Sequence, residues 1–203
     1  MAEEKANFMR YLAFCLLIGL SLTFGAPAAA QAPRPAACAE LLVNGGLEDG
    51  AAGWQISSAD GYPLLSQALP HTGQWGAFLA GYNEADDRLA QAVALPAGQT
   101  STLRFWWQAR TDETDHSWDT LDVEITPAGA APIRLQRITD ADAGGGWQQA
   151  TFDLSAYAAQ TVTLSFHAQT DFDRPTDFYL DDISLEACAA ATSFQLYLPL
   201  TLR

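Results

Sequence analysis

From residue 75 onward the apolar side chains alternate strongly with period two, and that period leaves little choice of fold. In "TLRFWWQAR" it sets Leu103, Phe105 and Trp107 against Arg104, Trp106 and Gln108. In "TLDVEIT" it sets Leu121, Val123 and Ile125 against Asp122 and Glu124, and in "TVTLSFHAQ" it sets Val162, Leu164 and Phe166 against Thr163, Ser165 and His167. Successive side chains of a strand point to opposite faces, so each segment has one face to bury and one to wet. Two antiparallel sheets that close their apolar faces on each other meet that demand. Turn residues separate the segments, and neither a useful helical period nor an internal repeat appears. The chain is expected to be all-β, one two-sheet β-sandwich.

Residues 1–32 are set apart from that domain. Lys5 and Arg10 precede the apolar run "YLAFCLLIGLSLTFG", which ends in "APAAAQA". A basic start, an apolar middle and small residues at the exit predict a secretory signal peptide. The run is shorter than the roughly 20 residues of a membrane-spanning helix, so a secreted or cell-surface location without membrane insertion is expected. The formal net charge is −14 with or without that leader, because two basic and two acidic residues leave together. Such a surface repels nucleic acid. The sandwich is expected over 33–188, as a monomer, followed by an apolar tail over 189–203 that becomes an extra edge strand or a loose terminus. Cys38 and Cys188 stand near the two ends of this domain. In an exported chain an even pair is most simply a disulfide, the alternative being two buried thiols.

If successive strands reverse direction, their connections alternate between the two ends of the sandwich. One set of connections holds twelve acids: Glu84, Asp86, Asp87, Asp112, Glu113, Asp115, Asp119, Asp140, Asp142, Asp171, Asp173 and Asp177; the other set holds none. One end is therefore expected to be strongly acidic, with Tyr82, Trp118 and Phe172 as aromatics among the acids. Turn chemistry accounts for part of this; an apical Ca²⁺ is the alternative account.

The last apolar segment, "TDFYLDDISL", carries Asp181 and Asp182 side by side. Strict alternation turns one of the two toward the side that holds Tyr179, Ile183 and Leu185. If Cys38 faces Cys188, an antiparallel pairing of the first and last strands places residue i opposite residue 226 − i. "NGGLEDG" then folds over "YLDD", and Asn44, Glu48, Asp49, Asp181 and Asp182 share one neighbourhood suited to a hard cation. The stretches "NGGLEDGAAGWQ", "WQQATFDLSAY" and "FYLDDISL" together resemble the jelly-roll carbohydrate-binding modules of the CenC type, within the galactose-binding-like fold. The resemblance runs over about 40–187. It implies a jelly roll, a carbohydrate or cell-surface glycan as ligand, and a structural calcium near Glu48 and Asp182, with Asp181 as a second candidate and Asn44 beside them. "LRFWWQART" followed by "WDTLDVEI" also resembles MAM-type and metallopeptidase-associated jelly rolls, which implies adhesion to an extracellular protein or company with a protease; the extra cysteines of animal MAM domains are missing.

For a sugar, the wet faces offer Arg104, Trp106 and Gln108, expected beside Glu124 and Asp122 if their strands are neighbours, with His167 and Gln169 on a third strand. An aromatic platform flanked by planar hydrogen-bonding groups suits a pyranose. The competing expectation is that a crossing loop or the tail covers Trp106. Trp54, Trp75, Trp107 and Trp147 are assigned to the core. Binding rather than catalysis is expected, a hydrolase or lyase on the same fold being a further alternative: His71, His116 and His167 are the only histidines, and no G-x-S-x-G or H-E-x-x-H motif occurs.

Overall fold

The computed structural model describes residues 37–114 and 118–189. The expected leader, the tail beyond Ala189 and His116 lie outside the described residues. Among the described residues eleven strands follow one another: β1 (Cys38–Glu40), β2 (Gln55–Ser58), β3 (Leu65–Ser66), β4 (Gly76–Ala80), β5 (Asp86–Ala94), β6 (Gln99–Thr111), β7 (Thr120–Pro127), β8 (Ile133–Thr139), β9 (Gln148–Asp153), β10 (Thr161–Gln169) and β11 (Thr176–Ala189). They form two antiparallel sheets. The first runs β3-β4-β11-β6-β9 with β1 also paired to β11, and the second runs β2-β5-β10-β7-β8. From β5 to β11 the chain crosses between sheets at every connection except β7 to β8, the jelly-roll pattern of a sandwich.

The alternating residues close on one another as expected. Leu103, Phe105, Leu121, Val123, Ile125, Val162, Leu164, Phe166, Phe178 and Leu180 are fully buried between the sheets. Phe105 of the first sheet meets Phe166 of the second edge to face, with ring centroids 5.1 Å apart. Each such side chain contributes about 1.5–3 kcal/mol. Trp54 and Trp107 belong to this core, whereas Trp75 and Trp147 are only half-buried and sit outside it. One polar residue on the inward row of β5, Gln91, is satisfied by gripping the Val43 peptide: its Oε1 accepts from Val43 N–H (2.7 Å) and its Nε2 donates to the Val43 carbonyl (3.0 Å).

The two ends of the domain are joined. Cys38 and Cys188 form a disulfide across 150 residues, and β1 pairs with β11 in the register Cys38 to Cys188, Ala39 to Ala187, Glu40 to Glu186, which is the expected one. Farther along, Ile183 N–H donates to the Gly45 carbonyl. That contact is so close that a Cβ on Gly45 would lie 1.7 Å from the Ile183 oxygen, which explains the glycine. Among the described residues, no helix is long and apolar enough to cross a membrane.

Candidate functional site

The paired aspartates sit on a β-bulge. The register between β11 and β6 shifts between Asp181 and Ser184, and Asp182 adopts a left-handed φ of 46°. The bulge corrects the alternation: Ile183 and Leu185 turn into the core, while both carboxylates reach the loop over 70–75. Asp181 Oδ2 accepts the peptide N–H groups of His71 (2.8 Å) and Thr72 (3.0 Å), and its Oδ1 accepts that of Asp182 (2.6 Å). Asp182 takes the Thr72 hydroxyl (2.6 Å) and contacts His71 Nδ1 (2.6 Å). Glu48 holds the other flank of the loop, accepting from Gln74 and Trp75 N–H at 2.8 and 3.0 Å. Burial raises the Asp181 carboxyl above its ordinary value; the N–H groups of Thr72, Asp182 and His71 oppose this, and the Asp182 charge adds to it.

Three of the four residues expected to ligate calcium thus surround one loop. Asn44 does not join them. Its Oδ1 accepts from Asp49 N–H and its Nδ2 donates to the Gly50 carbonyl, so the side chain is committed to its own turn. The carboxylates suit Ca²⁺ in kind, and Glu48 Oε2 receives no hydrogen bond from the described residues. Asp181 Oδ2, by contrast, is filled by two peptide N–H groups. Among the described residues, no group of three or more His, Cys, Asp or Glu side chains is arranged to hold a metal ion.

The six residues expected to contact a sugar do not form one site. Arg104, Trp106 and Gln108 belong to β6 of the first sheet, whereas Glu124, His167 and Gln169 belong to β7 and β10 of the second, so the two groups face away from each other on opposite outer surfaces. β6 pairs with β9 and β11, not with β7. On the first surface Trp106 is covered by the 70–75 loop: the His71 ring stacks on it at 4.1 Å and 17°. Gln108 is 8% exposed, and Arg104 pairs with Glu186 at 2.8 Å. On the second surface Arg88 reaches His167 Nδ1 (2.9 Å) and lies 3.8 Å from Glu124, while His167 Nε2 and Gln169 turn to Asp86. Beside them Arg137 grips Asp122 with two hydrogen bonds (2.7 and 2.6 Å). Burial alone would raise the Asp122 carboxyl, but the bonds and charges of Arg137 and Arg134 outweigh it and hold the group below the usual carboxylate range.

At the acidic end several carboxylates act as internal struts. Asp119 is fully buried and accepts Asp171 N–H (2.9 Å) and Thr176 N–H (2.7 Å). Asp87, equally buried, takes Ala80 N–H (2.8 Å) and the Tyr82 hydroxyl (2.8 Å). Two of the grooves that open among these loops carry exposed aromatic rings. One, of about 410 Å³, is lined by residues including Tyr62, Leu65, Ser66, Phe78, Tyr82 and Asp87. Tyr62 is 54% exposed and its ring lies 4.7 Å from that of Tyr82, whose hydroxyl is also 3.1 Å from Ser58 Oγ. Phe78 is backed by a stacked Tyr179 at 5.1 Å. The second groove, of about 230 Å³, is lined by Glu113, Trp118, Asp171, Phe172 and Asp173. The expected aromatic trio is therefore divided: Trp118 and Phe172 share one groove, and Tyr82 pairs with Tyr62 in the other. Tyr62, in "GYP", escapes a reading of the sequence because a lone tyrosine beside proline has no periodic signal.

Comparison with known proteins agrees with this architecture. The family profile of the MAM domain, meprin/A5/mu, matches residues 44–189. The pre-pro-metalloprotease PrtV of Vibrio cholerae is 33% identical over 117 residues, which is 51% of this chain and 12% of that protein, so the chain spans a small part of that relative's length. Among solved structures, the carbohydrate-binding module TmCBM61 in complex with β-1,4-galactotriose superposes with a TM-score of 0.56 at 16% identity, covering 72% of this chain and 97% of that one. The K3 cleaved adhesin domain of Lys-gingipain from Porphyromonas gingivalis superposes with a TM-score of 0.52 at 23% identity, covering 72% and 98%.

Proposed function

The chain belongs to the MAM domain family, and from that premise we propose that it is a secreted, non-catalytic binding module whose ligand is carbohydrate, held in the groove beneath Tyr62. The observation that carries this reading is the aromatic groove itself. Its volume of about 410 Å³ falls within the roughly 300–1,000 Å³ of small-ligand sites. A pyranose presents an apolar C–H face ringed by hydroxyls. The half-exposed Tyr62 ring, the Phe78 ring and the edge of Tyr82 supply the apolar surface, and Ser66 and Asp87 line the same groove as polar groups. The walls are preorganised, because Asp87 and Ser58 fix the Tyr82 hydroxyl and Tyr179 backs Phe78, so little freedom is lost on binding.

Calorimetric titration with neutral oligosaccharides tests the reading. Saturable binding weakened at least tenfold in Tyr62→Ala, and unchanged in Trp106→Ala, supports it. Binding indifferent to Tyr62, or no binding to any oligosaccharide of a broad panel, removes it.

The calcium ion is part of the same proposal. Glu48 and Asp182 would supply the carboxylate oxygens, with Asp181 committed to the loop, and the ion would tie that loop to the bulge. A midpoint of thermal unfolding that rises with Ca²⁺ and falls with chelator, and that loses this response in Glu48→Ala with Asp182→Ala, is the expected result. A midpoint indifferent to Ca²⁺ in the wild type withdraws the ion.

A further inference from the structure

The Trp118 and Phe172 groove is separate from the saccharide groove and is not used by it. Phe172 is 78% exposed and Trp118 65%, the two most exposed large apolar side chains among the described residues. They line one groove together with three acidic residues, Glu113, Asp171 and Asp173. The backbone beneath Phe172 is held from several sides. Asp119 accepts Asp171 N–H, Glu84 N–H donates to the Asp171 carbonyl at 2.6 Å, Asn83 Nδ2 donates to the Phe172 carbonyl at 2.7 Å, and Asp171 Oδ1 accepts Asp173 N–H at 2.8 Å. An aromatic ring is thus projected into solvent from a braced loop, the opposite of a loop tip whose apolar side chain can fold back for want of support. Large aromatics exposed together mark interaction surfaces, and rigid aromatic anchors carry much of the energy of protein interfaces.

The surroundings set the chemistry of the partner. Acidic residues share the groove with the two rings, the whole chain carries a net charge of −14, and the nearby Arg174 is turned to the Thr114 hydroxyl at 2.7 Å. A guanidinium or ammonium group over an aromatic ring is attracted by its π-face, and adjacent carboxylates add a charge-assisted hydrogen bond. We propose that this groove docks an arginine- or lysine-bearing segment of another extracellular protein, the basic side chain lying over Phe172 and Trp118 and its charge meeting Asp171 and Asp173.

A fluorescently labelled peptide of alternating arginine and glycine is the probe, with the glutamate–glycine peptide as the charge-reversed control, and anisotropy is the readout. Diffuse attraction to an acidic protein is expected of any basic peptide, so the deciding variants keep the charge. Phe172→Ser and Trp118→Ser, both at exposed positions, should weaken binding at least tenfold while leaving the thermal midpoint unchanged, and Tyr62→Ala should leave it intact. Weaker binding in 300 mM than in 50 mM salt is also expected. Equal affinity in Phe172→Ser and wild type reduces the attraction to bulk charge and overturns the proposal. So does the absence of peptide binding, or a neutral oligosaccharide whose binding is lost in Phe172→Ser. Loss of saccharide binding in Tyr62→Ala bears on the other groove alone.

Discussion

Replacing Asp119 removes the strut that holds the 170–177 segment, and its cost can be worked from two hydrogen bonds. The carboxylate is fully buried and accepts Asp171 N–H and Thr176 N–H, 52 and 57 residues away. A hydrogen bond to a charged group contributes about 1.5–3 kcal/mol net, and a buried N–H left without an acceptor costs a similar amount. Asp119→Asn keeps one acceptor and turns an N–H₂ group toward the second peptide N–H, a loss of about 2 kcal/mol. Asp119→Ala removes both acceptors, a loss of about 4 kcal/mol after allowing for the burial of charge that it relieves. For a domain of this size each kcal/mol moves the thermal midpoint by about 2–4 °C, so Asn should lower it by about 4–8 °C and Ala by roughly twice that. Hydrogen exchange supplies the local check: protection of the Asp171 and Thr176 amides should fall in both variants, with Leu164 and Phe166 in the core following only the global change. Burial also raises the Asp119 carboxyl above its ordinary value, against the opposing N–H groups of Asp171 and Thr176. The folded chain then binds this proton where the unfolded chain has released it, so the Asp119 contribution to stability falls as pH rises through that window. Asp119→Asn should abolish that component. An Asn variant as stable as wild type, with both amides still protected, would refute the strut.

The Cys38 to Cys188 bridge closes a loop of 150 residues, for which the chain-entropy argument gives about 5 kcal/mol; the double Cys→Ser variant should show that loss in its urea midpoint. Gly45→Ala drives a Cβ to within 1.7 Å of the Ile183 carbonyl oxygen and should cost at least about 2 kcal/mol, whereas Gly46→Ala meets nothing within 4 Å and should stay within about 0.5 kcal/mol of wild type. Asp122 has the opposite pH sign to Asp119: its depressed carboxyl contributes stability above its unfolded value that is lost as pH falls through the folded one. Urea unfolding between pH 3 and pH 7 should show a shallower acid-side decline in Asp122→Asn, with about 1 kcal/mol lost at neutral pH because Arg137 is half exposed.

The strand character of β6, β7 and β10, their inward and outward residues and the pairing of β1 with β11 were legible in the sequence, the last because a disulfide fixes one residue pair and antiparallel geometry fixes the rest. Sheet membership was not. Leu121 and Asp122 alternate in the same way whether β7 lies beside β6 or across the core from it, so period two carries no information on which sheet a strand joins. That ambiguity set Arg104, Trp106 and Gln108 beside Glu124, when the two groups lie on opposite outer surfaces. The bulge at Asp182 was equally silent: a single residue with positive φ reverses the faces of the residues after it, and nothing in "YLDDISL" distinguishes that from a regular strand. The loop over 70–75 satisfies Glu48 and Asp181 through peptide N–H groups, which every residue except proline possesses, so the side-chain sequence could not show it. The concentration of acids in alternate loops was real, but buried struts such as Asp119 and Asp87 account for part of it.

The clamp between β1 and β11 also has a mechanical meaning. Residues 37 and 189 lie side by side at one corner, at the end of β11 away from the acidic loops. Tension applied through these two residues is carried by the sulfur–sulfur bond and hardly stretches the sheets, so the load bypasses the core. The grooves at the far end would keep their shape under a pull that would unzip an unbridged sandwich strand by strand, and cutting the disulfide with a reductant would turn this rigid tether into an extensible one.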